Sequence, residues 1–309
     1  MLFPYLNGED LNSRPDQSPS RWVINFHDWP LERAETYPEV MAIVREKVKP
    51  ERDKNNRAVY RQRWWQYAEK RPELVATIAG MERVLVRARI ANTHSMTWVP
   101  ERWVYNEKLV VFVGCALATM QSAMHEVWAR NYSSSLRTDM QYTPSDCFET
   151  FPFPDTTGLD PIGERYYAHR QSIMLARLEG LTKTYNRFHN PDEHAEDIAT
   201  LRRLHVAMDH AVAAAYGWAD LALDHGFHQT RQGLRYTISE PARREVLGRL
   251  LALNHARYAE EVRLGLHDKG AKKAGKAAGN GMAKGKLAKA TMMQPALFGE
   301  VIAADGVVP

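Results

Sequence analysis

Residues 31–90 carry helical signals, with apolar positions that recur at helical spacing. Tyr37, Val40, Met41 and Val44 lie three and four apart, which places them on one face of a helix, and Pro50 closes that segment. Pro72 interrupts a second helical stretch that carries Trp64, Trp65 and Tyr67. Residues 1–30 are rich in Pro, Asn, Ser and Asp; their aromatic-apolar island, Trp22-Val23-Ile24-Asn25-Phe26, predicts a short strand after a long ordered loop. The pattern changes over residues 96–115, where Thr97-Trp98-Val99 and Leu109-Val110-Val111-Phe112-Val113 are β-rich and bounded by turn residues. A helix is predicted over 116–129, followed by a polar stretch that ends in Phe151-Pro152-Phe153-Pro154. Beyond it helices dominate, over 161–188, 193–216 and 240–264, with a looser segment at 217–239. Ser239-Glu240-Pro241 predicts a helix start, with Ser as the cap and Pro just inside.

Composition refines this outline at one place. The 309 residues carry a formal charge of +4, but residues 269–289 alone hold seven lysines and no acidic residue. Removing everything after His267 takes away seven basic and three acidic residues, which leaves 34 of each in residues 1–267. The body is therefore neutral, and the positive excess belongs to a Lys/Gly/Ala-rich tail that composition predicts to be flexible. The expected fold class is α+β: a mixed α/β domain over 1–155, a mainly α-helical domain over 156–267, and a disordered Lys-rich tail over 268–309. The two cysteines, Cys115 and Cys147, give no disulfide or metal framework. With no secretion signal and no long apolar run, a cytoplasmic protein without a membrane span is expected.

Motifs for catalysis are missing. There is no Asn-Pro-Pro-aromatic tetrapeptide, and Asn190-Pro191-Asp192-Glu193 only begins that way. No Gly-rich strand-to-helix turn, Walker loop or Gly-x-Ser-x-Gly elbow is present. The near pairs His189/His194, His205/His210 and His225/His228 have poor spacing for a shared metal on a helix. No catalytic residue, metal ligand or cofactor-binding residue is assigned to the chain.

Two segments have the chemistry to meet nucleic acid. Residues 45–71 interleave ten Lys/Arg with aromatics against four Asp/Glu. Such cations can pair with phosphates; equally, this is a solvated amphipathic face whose tryptophans turn to the core. In residues 129–143, an extended backbone would point Arg137, Asp139 and Gln141 to one face. That row offers readers for guanine, cytosine and adenine in turn, or is simply a polar exposed strand.

The ordered motifs resemble one family. Leu6-Asn7-Gly8-Glu9-Asp10-Leu11-Asn12-Ser13, Trp22-Val23-Ile24-Asn25-Phe26, Val48-Lys49-Pro50-Glu51-Arg52 and Trp64-Trp65-Gln66-Tyr67 are similar to MmeI-like (type IIL or IIG) restriction–modification enzymes. The Phe-Pro-Phe-Pro stretch, Arg235-Tyr236-Thr237-Ile238-Ser239 and the helical end at 250–262 continue the resemblance in order. Related adenine methyltransferases occur in phage-defence systems. The resemblance implies a target recognition domain followed by the family's C-terminal helical region. It points to Arg130, Asn131, Arg137, Asp139, Gln141, Asn92 and His94 as base readers, and to Lys49, Arg52, Lys54, Arg57, Arg61 and Arg63 as DNA-backbone contacts. Double-stranded DNA is the implied partner. The family's nuclease and methyltransferase parts precede this region, and here Met1 stands only a few residues before Leu6. S-adenosylmethionine and the catalytic loop are thus expected on a neighbouring methyltransferase chain, or lost. A helical interaction protein without DNA readout is the alternative.

Overall fold

The computed structural model describes residues 1–67, 70–136 and 139–267, together with the backbone of Val301–Ala303. Arg137 and nearly all of the predicted tail lie outside the described residues. The described part is of mixed α+β class, with small sheets and predominantly helical structure after Phe153.

The central sheet runs in the order Val301–Ala303, Leu109–Phe112, Arg83–Ala88, Thr97–Pro100, all antiparallel. Leu85 is its pivot, paired with Phe112 on one side and Trp98 on the other. Thr97–Pro100 and Leu109–Phe112 fall where the β-rich pattern put them. The strand between them does not: Arg83–Ala88 lies in a region read as helical. Every residue of it except Arg83 is buried, so no alternation marks it. Val301–Ala303 supplies the edge strand of this sheet.

The first thirty residues hold more structure than one strand. Leu2–Leu6 pairs with Arg21–Ile24, and between them the helix Gly8–Ser13 is capped by Asn7, whose Oδ1 accepts from the Glu9 and Asp10 amides. The helical spacing at 37–44 is realised as Pro38–Lys47, with Met41 and Val44 buried. These two, with Phe26, Ala34 and Trp64, form a small core of their own. Trp65 Nε1 and Gln66 Nε2 both donate to the Trp29 carbonyl, at 2.9 and 2.6 Å. The tryptophans of the basic stretch therefore serve packing.

The predicted helix over 116–129 is two helices, Leu117–Gln121 and Ala123–Tyr132, broken at Ser122, whose hydroxyl accepts from the His125 amide. Further on, Asp160–Arg177 and Leu181–Phe188 replace one predicted helix; Glu196–Ala215 and Glu240–Arg263 follow as expected. Ser239 caps the last by accepting from Ala242 N at 3.3 Å. The looser segment holds a β-hairpin, Gly226–Thr230 paired with Gly233–Thr237, closed by the two-residue loop Arg231-Gln232.

One buried cluster extends from Leu6 to Leu250 and draws residues from both sides of position 155. Phe148, Phe151 and Phe153 lie in it, Phe148 and Phe151 both against Phe153, and Phe151 meets the His125 ring edge-on at 4.6 Å. Polar ties cross the same boundary. Arg170 donates to Met96 O at 2.5 Å, to Gln121 Oε1 at 3.2 Å and to the Tyr185 hydroxyl at 3.0 Å. Asp209 accepts from the Ala123 amide at 2.8 Å and meets His225 Nε2 at 2.8 Å. Among the described residues no helix is long and apolar enough to cross a membrane.

At Gly180, the chain passes directly against the end of helix Gly8–Ser13, and a Cβ there would collide with backbone atoms of Asn12 and Ser13. Gly180→Ala is expected to cost about 1–3 kcal/mol, the usual range for forced overpacking. Denaturant unfolding of the two proteins measures it; an unchanged midpoint would mean that this contact is slack.

Candidate functional site

The third small sheet brings one predicted reading segment to the surface. Asp139–Gln141 pairs with Ser134–Leu136 on one side and Ile90–Ala91 on the other. Met140 points into the core, while Asp139 and Gln141 share the partly exposed face, as the alternation predicts. Beside this sheet, the last turn of helix Ala123–Tyr132 supplies Arg130 and Asn131.

These elements form one wall of a groove of about 460 Å³, which Asn92, Arg130, Asn131 and Asp139 line. The opposite wall comes from the hairpin and the helix that follows it, through Arg231, Gln232, Arg235, Arg243 and Arg244. Five arginines, Arg130 included, thus face three carboxylates, Glu126, Asp139 and Glu240. The signal for the second wall was present in the sequence as the Arg235-Tyr236-Thr237-Ile238-Ser239 motif, but nothing there placed it opposite residues 92–139.

Arg130 is held in place. Its Nε donates to Glu126 Oε1 at 2.7 Å, and one terminal nitrogen donates to the Asn92 carbonyl at 2.9 Å. Burial pushes the Glu126 carboxyl up, but the charge and hydrogen bond of the Arg130 guanidinium outweigh it, and the net result is a pKa lowered to about 2. Across the groove, Arg235 donates to Asn92 Oδ1 at 3.1 Å. Burial, and then the nearby Arg130 charge, draw the Arg235 pKa down. His189 is kept neutral by burial, its pKa lowered to about 3, and its Nδ1 accepts from the Tyr236 amide at 3.2 Å. Arg243 and Arg244 both pair with Glu240, and the Arg244 side chain is 80% exposed.

His94 is a correction. It is buried, with Nε2 donating to Met120 O at 2.7 Å and Nδ1 accepting from Arg87 at 3.1 Å. Burial first, and then the Arg87 charge, lower its pKa to about 3, so it is a neutral core histidine with no nitrogen left for a base. Arg52 is a second correction: it is 7% exposed and lies over the Tyr60 ring at 4.5 Å, which removes it from the surface as a phosphate contact. Of the other predicted backbone contacts, Lys49 pairs with Asp53 at 2.6 Å, Lys54 with Glu51 at 3.1 Å, and Arg61 donates to Asn55 O at 2.5 Å. Arg57 and Arg63 are exposed. None of these residues lines the groove, and neither does Gln141.

A larger hollow of about 890 Å³ lies between the Leu2–Leu6 sheet and the helices at 58–78, lined by Phe3, Tyr5, Trp22, Tyr67 and Trp103 among others. It gathers none of the predicted base readers, so the smaller groove is the candidate site.

The Glu126–Arg130 pair predicts a pH dependence. A carboxyl whose folded pKa is lowered stabilises the fold fully above its unfolded value of about 4.5, and this contribution is lost as pH falls toward about 2. Wild type should therefore exceed Glu126→Gln in unfolding free energy at pH 6, with the gap narrowing at pH 3. A gap independent of pH would rule out the charge pairing as its source.

Comparison with known proteins bears on this arrangement. No curated protein matches the chain. Residues 6–155 match the family model of the MmeI target recognition domain. Among solved structures, the type IIL restriction–modification enzyme MmeI, determined in complex with DNA, has the same fold, with a TM-score of 0.57 at 16% identity. The match covers 82% of this chain and 31% of that one, so the chain spans about a third of the length of the enzyme it resembles. Residues 6–155 thus resemble the MmeI target recognition domain in sequence, within a chain whose fold resembles that of MmeI.

Proposed function

We propose that the chain is a sequence-reading module for double-stranded DNA, with the groove between residues 92–139 and the 226–237 hairpin as its reading surface. The observation that carries this is the convergence of Asn92, Arg130, Asn131 and Asp139 on one groove, within the segment that matches the target recognition family. These side chains suit base edges: Arg donates to guanine, Asn pairs with adenine, and Asp accepts from cytosine. The anchoring of Arg130 by Glu126 and Asn92 supports base reading, because a fixed planar fork selects one geometry. The exposed Arg244 at the rim, and Arg57 and Arg63 on the helical unit, suit phosphate contacts.

The module serves, on this reading, a restriction–modification or phage-defence adenine methyltransferase. A catalytic part carried elsewhere would bind S-adenosylmethionine, and the target base would leave the stack to reach it. The residues of this chain do the earlier work: they hold the duplex and fix which site is presented. In this division of labour residues 1–155 supply the first wall of the reading groove, and residues 156–267 supply the second wall and the packing behind it.

Selection from a random duplex pool tests the reading. The wild-type chain should enrich a defined consensus, with affinity that falls steeply with salt. Arg130→Ala should degrade one position of that consensus, at a cost of about 1–3 kcal/mol there. Enrichment of no consensus would favour an interaction protein without DNA readout.

A further inference from the structure

The groove has a wall that the family-matched segment does not contain. Residues 226–237 lie more than seventy positions beyond residue 155, yet Arg235 meets Asn92 across the groove at 3.1 Å. The hairpin is firmly seated. Tyr236 packs edge-on against Phe188 at 5.5 Å and against Phe227 at 5.2 Å. The Tyr236 amide is tied to His189, and Arg202, which binds the carbonyls of Phe188, Asn190 and Glu193, lies over the Tyr236 ring at 5.5 Å. Strand alternation then turns the neighbouring Arg235 the other way, into the groove.

Arg235 differs from the rim arginines. Arg243 and Arg244 share the Glu240 carboxylate, and Arg244 is largely free in solvent. Arg235 is half-buried, and its guanidinium plane is fixed by the Asn92 amide oxygen rather than neutralised by an acid. One of its five N–H donors is used in that bond, and the rest of the fork stays open to a pair of acceptors. Phosphate attraction needs only a mobile charge. A buttressed, planar, half-buried fork fits a base edge with two adjacent acceptors, which is the O6/N7 edge of guanine.

We propose that Arg235 is a specificity-determining residue that reads a guanine, buttressed by Asn92, so that base readout is divided between the target recognition segment and the downstream hairpin. This rests on the DNA-reading assignment above. It implies that transplanting residues 6–155 alone would not transfer the full specificity.

The test is selection from a random duplex pool with the full wild-type chain, Arg235→Ala and Arg235→Lys. Thermal unfolding checks each protein, and the lysine variant, which keeps the charge and the stem, remains informative if the alanine variant unfolds. Arg235→Ala should abolish preference at one G·C position, by roughly tenfold to a hundredfold, and Arg235→Lys, which keeps donors but loses the planar fork, should weaken it at that same position, while the other positions are kept. Asn92→Ala should weaken preference at that same position. Weaker binding to all sequences with the consensus intact would make Arg235 a phosphate contact and overturn the inference, although DNA reading would stand. Unchanged binding and consensus in the Arg235 variants would overturn it too. A wild-type chain that enriches no consensus would remove the recognition reading and this inference together.

Discussion

Arg170 enters the interior from helix Asp160–Arg177 and has no carboxylate to meet there among its hydrogen-bond partners. Its two terminal nitrogens donate to Met96 O, Gln121 Oε1 and the Tyr185 hydroxyl, while Nε is buried without a partner among the described residues. Gln121 in turn accepts from Met96 N at 2.9 Å and donates to His94 O at 2.7 Å. A buried cation is costly unless its donors are satisfied in a fixed geometry, so these partners have to keep their places. The segment 92–98 is thereby bound to helices on both sides of position 155. Asn92 and Thr93, which open into the groove, are the continuation of that fixed segment.

The same logic extends to the other wall. Asp209 holds the start of helix Ala123–Tyr132 through the Ala123 amide, and that helix ends in Arg130 and Asn131. Arg202 and Phe188 hold the hairpin that carries Arg235. Buried polar contacts in the core thus decide where groove side chains stand. This matters for sequence reading, because discrimination by hydrogen bonds depends on donors that do not rearrange to suit a wrong base. Residues 1–267 are neutral as a whole, yet the groove itself gathers five arginines against three carboxylates.

Much of the fold was legible where period and cap agreed. The spacing of Val40, Met41 and Val44 marked a helix; Ser239 with Pro241 marked another helix start; the alternation at Asp139 and Gln141 was realised as written. Other features were hidden for physical reasons. Arg83–Ala88 is covered on both faces, so it carries no period of two. The hairpin at 226–237 closes on Arg231-Gln232, without the Asn-Gly pair that announces such turns. His94 and Arg52 looked available because a sequence does not reveal that Met120 O or the Tyr60 ring will take them inside. The groove itself was only half visible: its first wall lay in one run of polar residues, and its second depended on long-range packing.

Disulfide trapping on DNA measures the central claim most directly. Cys115 and Cys147 are both buried, so a new groove cysteine would be the accessible one among the described residues. Asn131→Cys and Gln232→Cys stand on opposite walls. With duplexes of the selected sequence carrying a tethered thiol on a base, both variants should form a cross-link at defined and different positions. Tight binding of that duplex with no cross-link from either wall would contradict the account, since DNA would then be held away from the groove.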